Sequence, residues 1–280
     1  MAYNRVVTLN VINNSAQIVQ IGTLDFEFNI VRSIDFTNNT AEFIIYNAAF
    51  VTRQNILKKG NNIVFSAGYE DEGNIASVFF GTIFTSTSVK QETEWITSIQ
   101  AIDIGNNNQP LVFEPIALSY IANTLLIQVI NDISSILGIP VFGLQNVAAI
   151  QLSNGLVHAG TINQLLDKIN NILKQNELSL YIDNSQLVIY NIGLKNSIFG
   201  VVAISKYNGL VGNVEEIIDE NGTDEKKRIR FTSLLNPQIK PNTVISIISE
   251  NITGAYFVEA VNHRGDTYGG EFFSIVEAAE

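Results

Sequence analysis

Cysteine is absent from the 280 residues, so neither disulfides nor thiolate-held metals are open to this fold. The absence suits a chain that must persist outside a cell without depending on redox state. Histidine occurs only as His158 and His263, and neither has a partner at a ligand-like spacing. A site of His263 with Asp266 is conceivable, but that stretch reads as a polar hairpin tip. Basic residues are scarce: 16 Lys and Arg stand against 27 Asp and Glu, a formal net charge of −11. A grip on nucleic acid through phosphates needs clustered cations and is excluded. Long apolar runs are missing too. The most membrane-like stretch, Ile116–Asn131, falls short of the ~18–20 residues that span a bilayer and is interrupted by Ser119, Asn123, Thr124 and Gln128. Met1–Asn10 has no apolar core of the secretory kind.

Catalytic motifs are lacking as well. There is no GxSxG and no HExxH, and Gly265, Gly269 and Gly270 are not followed by a helix that could cradle phosphate. Carboxylates fall in solvated runs (Glu70–Glu72, Asp219–Glu220) or at strand starts (Glu94, Glu271), not as an isolated acid/base pair. Nothing asks for an enzyme, a cofactor or a metal.

What is present is β pattern. Hydrophobic residues make up 46% of the chain and charged ones 15%, enough apolar mass for sizeable cores. Proline is missing before Pro110, which favours uninterrupted strands. Leu24, Phe26, Phe28 and Ile30 alternate with polar residues at the period of a half-buried strand. Further strands are expected at Arg5–Val11, Ala41–Asn47 and Ile63–Gly68, then a long hairpin over Phe79–Asp103. A polar linker, Gly105–Pro110, precedes a change of pattern. Leu118, Ile121, Leu125, Val129, Ile133 and Ile136 have helical spacing from Ile116 to a stop at Gly138 and Pro140. A second helix is expected from Thr161, with Gln164 placed for a capping box, and a small hairpin turns at Asp183–Ser185. The β pattern then returns from Gly209 through a charged turn, Asp219–Lys227, and strands Arg228–Thr232 and Thr243–Ile248. It closes in a hairpin over Ile252–Ala278.

The two long hairpins look like one unit used twice. Gly81 and Gly254 open them, and the return strands match as Glu94-Trp95 with Glu271-Phe272 and onward to Ala101 and Ala278. Gly81 to Glu94 is four positions shorter than Gly254 to Glu271, so the second tip is expected to be longer. Two related antiparallel barrels flanking an α+β insert follow: 1–107, 108–206 and 207–280. A ring of three such chains offers six quasi-equivalent positions, so a trimer could match a sixfold partner on one side and a threefold one on the other.

Ala67-Gly68-Tyr69-Glu70 with Phe80-Gly81-Thr82-Ile83 resembles the hub proteins of phage baseplates. So do Ile229-Arg230-Phe231 with Leu235-Asn236-Pro237, and Gly265-Asp266-Thr267-Tyr268-Gly269-Gly270-Glu271-Phe272. That family includes the late-control D-type tail proteins and is related to the N-terminal part of type VI secretion spike proteins. The resemblance implies tail-tube-like barrels and a homotrimer in the virion tail. It also implies docking to a tail tube or tube-initiator protein and to a central spike, with neighbouring baseplate proteins meeting the insert. DNA would pass through without specific binding, and no membrane insertion is implied. It implies no enzymatic site, and the end at Glu280 suggests a hub without a fused spike. A carbohydrate-binding or adhesion module is the alternative; it would want exposed aromatics on one face, whereas the single tryptophan, Trp95, is expected to face the core.

Overall fold

The computed structural model describes residues 4–13, 17–21, 24–35, 39–103, 113–192, 199–217 and 227–280. The expected linker Gly105–Pro110 and all but the last residue of the charged turn Asp219–Lys227 lie outside them. The N-terminal half contributes β1 (Arg5–Ile12), β2 (Ile18–Ile21), β3 (Phe26–Ser33), β4 (Thr40–Tyr46), β5 (Asn62–Tyr69), β6 (Ala76–Gln91) and β7 (Glu94–Ile102). The middle holds β8 (Pro115–Tyr120), β9 (Thr124–Leu125), α1 (Leu126–Leu137), β10 (Val141–Phe142), β11 (Gln151–Leu152), β12 (Leu156–Thr161), α2 (Ile162–Lys174), β13 (Leu178–Asp183) and β14 (Gln186–Asn191). The C-terminal half adds β15 (Val201–Ser205), β16 (Leu210–Ile217), β17 (Arg228–Leu234), β18 (Val244–Ile248), β19 (Thr253–Asp266) and β20 (Phe272–Ala279).

The period-two pattern of β3 is realised as read: Phe26, Phe28 and Ile30 point into a core shared with Phe43 and Phe65. A second core lies between α1, α2 and the β13–β14 hairpin, and a third in the C-terminal half around Phe231, Ile245 and Val261. The fold is mainly β with a helix-containing middle. The strands of the two flanking halves form one sheet of thirteen, joined because β19 continues past β18 and pairs with β3, while β8–β14 of the middle make three smaller sheets. On either side of that joint the strand order is the same. It reads β3-β4-β7-β6-β5-β1 in the N-terminal half and β16-β17-β20-β19-β18-β15 in the C-terminal half. The halves differ at the end of the series, where β1 runs antiparallel to β5 but β15 parallel to β18. β15 lies in the stretch expected to belong to the insert, yet its partner is a strand of the C-terminal half.

In the middle segment one expected element is corrected. Residues from Ile116 do not start a helix; they form β8, paired with β12, and the helix begins only at Leu126. Ile116, Leu118 and Tyr120 reach the middle core in strand phase, and Ile121 is left 82% exposed. Asn123, at a positive φ of 64°, then turns the chain. The long-range ladder to β12 outweighs the helical spacing. Gly138 closes α1 in the left-handed conformation, as expected. α2 opens with the expected capping box, Thr161 and Gln164 each accepting from the other's backbone N–H.

The turn of the β13–β14 hairpin is Asn184–Ser185, both at positive φ, the conformation of a tight two-residue hairpin. Its tip is what fastens the middle to the halves. Arg32, a charged residue in the buried phase of β3, forks onto Asp183: Nε reaches Oδ1 at 2.8 Å and Nη2 reaches Oδ2 at 2.6 Å. Its Nη1 donates to the Val78 carbonyl. Asn39 donates to Asp183 Oδ1 and to the Ile182 carbonyl. The Phe80 N–H donates to Asn184 Oδ1, Ser185 Oγ donates to the Asp103 carbonyl, and Tyr181 Oη donates to the Pro241 carbonyl at 3.1 Å. The ion pair is buried, with side chains 1% and 6% exposed, so removing one partner strands the other charge. Asp183→Ala is expected to lower the unfolding free energy by about 3–5 kcal/mol in urea titrations. Replacing Arg32 and Asp183 together by Met and Leu should restore most of that loss, because no unpaired charge is then left behind.

Candidate assembly surface

The repeat is most exact at a pair of bulges. In β6, Phe84 is an extra residue between the pairs Ile83↔Ala101 and Thr85↔Gln100. In β19, Glu259 is an extra residue between Val258↔Ala278 and Ala260↔Glu277. A bulge bends and further twists a strand, so its recurrence gives both hairpins the same sweep. With the bulges level, Glu94 lies level with Glu271 and Trp95 with Phe272. Gly81 falls level with Tyr256, two residues from Gly254. The hairpin tips, Glu92–Thr93 and Thr267–Gly270, then differ by two residues rather than four.

The six repeat residues have different surroundings. At Gly81 a Cβ would come within 2.3 Å of the Ile102 carbonyl, so the β6–β7 crossing demands glycine there; at Gly254 the nearest contact would be 3.1 Å. Glu94 is exposed beside the Asn47 amide, and Glu271 is exposed in an ion pair with Arg264 at 2.9 Å. Pairs this open contribute little to stability. Phe272 is fully buried, but in the core of the other half: its ring meets Phe28 at 5.8 Å and Tyr69 at 5.3 Å, with the Arg5 guanidinium 5.1 Å above it. Trp95, expected to face the core, is instead 37% exposed. Its strand has run past the apolar interior by that point, and Arg53 stacks on the indole with Cζ 3.6 Å from the ring centre. Phe50, Val51 and Val89 are exposed in the same half.

His263 is likewise not in a turn. It sits inside β19, paired on both sides by β3 and β20, and is fully buried. Nε2 lies 3.1 Å from the Ile239 carbonyl, to which it donates, and Nδ1 lies 2.8 Å from Ser274 Oγ, from which it accepts. Burial, and secondarily the Arg32 charge, push its pKa down to about 3, so the ring is neutral. His158 is also buried and lies 3.0 Å from the Thr161 carbonyl. Among the described residues no cluster of three or more His, Asp or Glu could hold a metal. Sequence reasoning missed Arg32, Asp183 and Arg53. Arg32 had a signal, a cation in phase with Phe26, Phe28 and Ile30; Arg53 had none.

The family model described as baseplate hub gp41 matches residues 7–278. The chain belongs to the baseplate hub gp41 family. It is thus a structural component of a phage tail, located in the virion baseplate. Solved structures share the hub's fold at low identity. The 43 kDa tail protein of prophage MuSo2 from Shewanella oneidensis is 12% identical, with a TM-score of 0.69 over 98% of this hub and 96% of that chain. The tail protein from Neisseria meningitidis MC58 is 8% identical, with a TM-score of 0.69 over 99% and 97%. The E. coli c3393 protein, a type VI secretion component described as structurally similar to T4 tail proteins gp27 and gp5, is 9% identical, with a TM-score of 0.61 over 91% and 73%. No curated protein matches in sequence.

The buried imidazole makes the hub acid-sensitive. A histidine whose folded pKa lies below the unfolded ~6.5 contributes its stability fully above that value and loses it as pH falls towards 3. The unfolding free energy should fall through this window, by on the order of 1.4 kcal/mol per pH unit from this group, and the melting temperature with it. His263→Asn, which removes the titration, should show a shallower acid limb in the same melts.

Proposed function

We propose that three copies of this hub form a ring with pseudo-sixfold symmetry. The ring joins the sixfold tail tube, or its initiator protein, to a trimeric central spike and lines the channel that DNA traverses. The observation that carries this reading is the shared strand order of the two halves, reinforced by the matching bulges at Phe84 and Glu259. A chain with two like halves presents six like positions in a closed ring of three, while every other surface is repeated three times. The hub can therefore meet partners of both symmetries with a single gene product.

One face of the sheet has the charge a DNA conduit needs. The registered pairs Asp266↔Glu27, Asn29↔Glu42, Ala260↔Glu277 and Arg230↔Glu215 put Glu27, Glu42, Glu215, Asp266 and Glu277 on a common face. Arg228, Arg230 and Arg264 oppose them there, and all three are held in ion pairs. Like-charge repulsion from such a wall keeps a polyanion moving instead of sticking. The middle segment, different in kind from both halves, is assigned to the outside of the ring, facing neighbouring baseplate proteins. No helix among the described residues is long and apolar enough to cross a membrane.

Mass measurement in solution tests the ring. A trimer, formed by the purified hub or on addition of tube or spike protein, is the expected result; a chain that stays monomeric with both partners present contradicts it. In assembled tails, Glu27→Lys with Glu42→Lys should slow DNA release measurably, and an unchanged release rate would remove the acidic wall from the account.

A further inference from the structure

The two halves are alike, but only one has its joint filled. Beyond its bulge, β19 pairs with β3 from Ala260 to Asp266, which carries Phe272 across into the N-terminal core. The counterpart segment of β6, Thr85–Gln91, has β7 on one side and no ladder on the other among the described residues. The counterpart of β3 is β16, which has β17 alone. Matching the pairs strand by strand sets Val89 level with Arg264 and Glu215 level with Asn29, and Arg264↔Asn29 is a pair in the joint that exists.

Where the C-terminal half should hold the counterpart of Phe272, it has a cleft instead. The cleft measures about 330 Å³ and is lined by Tyr207, Leu210, Val214, Ile248 and Glu250. Val214 adjoins Glu215, the residue of β16 level with Asn29, and Ile248 ends β18 much as Tyr69 ends β5, with Glu250 two residues beyond it. Tyr207 is 88% exposed and Ile248 60%, an apolar rim open to water. On the other side of the match, Trp95 is level with Phe272, and the Arg53 stacked on it has buried Nε and Nη1 atoms with no acceptor. Glu250 supplies a carboxylate at the rim of the cleft.

We propose that Trp95 of one copy occupies the Tyr207–Leu210–Val214–Ile248 cleft of a second copy, with its Arg53 turned to Glu250 of that copy. The outer edge of β6 adds to the outer edge of β16 in the register that β19 and β3 use within the chain. The inference rests on the ring reading and names its seam. The occupant is a second copy because the same chain already builds this joint once, with an aromatic of the same position in a socket of the same place. An aromatic anchor, an arginine and an open strand edge are also what interface hot spots and strand addition use.

Trp95 is the only tryptophan, so its fluorescence reports the socket directly. On assembly of the full chain, emission should shift to the blue and acrylamide quenching should fall severalfold. Trp95→Ala and Ile248→Asp should each weaken trimer formation at least tenfold while leaving the monomer's melting curve in place, since both side chains lie outside the three cores. Val89→Cys with Glu215→Cys should crosslink copies on oxidation, free of background in a cysteine-less chain, whereas Thr85→Cys with Glu215→Cys should not. Trimers whose tryptophan stays quenchable, which tolerate Trp95→Ala and fail to crosslink at 89–215, would overturn the socket and leave the ring standing. A hub that never leaves the monomer overturns both.

Discussion

The fold turns on a buried ion pair. Arg32 and Asp183 are separated by 151 residues, yet their bidentate contact is what ties the middle segment to the sheet. Desolvating two charges is costly, and the geometry offsets the cost by satisfying nearly every donor: the fork takes both carboxylate oxygens, Val78 takes the third nitrogen, and Asn39 completes the carboxylate. A hydrophobic contact in the same place could slide. A forked guanidinium cannot, so the hairpin tip is held in one orientation against both halves, with Tyr181 pinned to Pro241 on the C-terminal side. The low effective dielectric around Arg32 reaches further: its charge adds to burial in pushing down the pKa values of His263 and Lys240.

That rigidity matters because the halves are alike but not interchangeable. The same strand order and the same bulge serve two different ends. In one copy of the hairpin the tip aromatic is Phe272, sealed between Phe28 and Tyr69; in the other it is Trp95, partly open and capped by Arg53. Gly265 shows how closely the filled joint is made, since a Cβ there would meet Phe272 at 2.7 Å and Phe28 at 2.9 Å. Its counterpart in β6 is Lys90, which faces no such crowding within the chain. Repetition thus provides the frame, and local substitutions decide which joints close inside a chain.

Much of this was legible in the sequence, for reasons that can be named. Strand alternation in β3 and the capping box of α2 are local signals, and the structure realises both. Return strands are pinned by their pairing partners, so Glu94-Trp95 and Glu271-Phe272 align without gaps once the bulges are set level. The opening glycines stand in different surroundings, Gly81 meeting a close approach of the Ile102 carbonyl that Gly254 does not face. The helix expected from Ile116 failed because its first residues pair with β12, a contact no local window contains. Trp95 and His263 failed together: judging whether a strand residue is inside requires knowing where the neighbouring strands stop. β7 outruns its core, while β19 gains a second neighbour in β3.

The central claim is that a twofold repetition within one chain lets a threefold ring imitate a sixfold one. An electron-microscopy reconstruction of the assembled baseplate, refined without imposed symmetry, measures this directly. The account predicts three copies per ring, with N-terminal and C-terminal halves alternating around six positions and Glu27, Glu42 and Glu277 facing the bore. Six copies per ring, or three copies with one kind of half displaced from the channel wall, would contradict it.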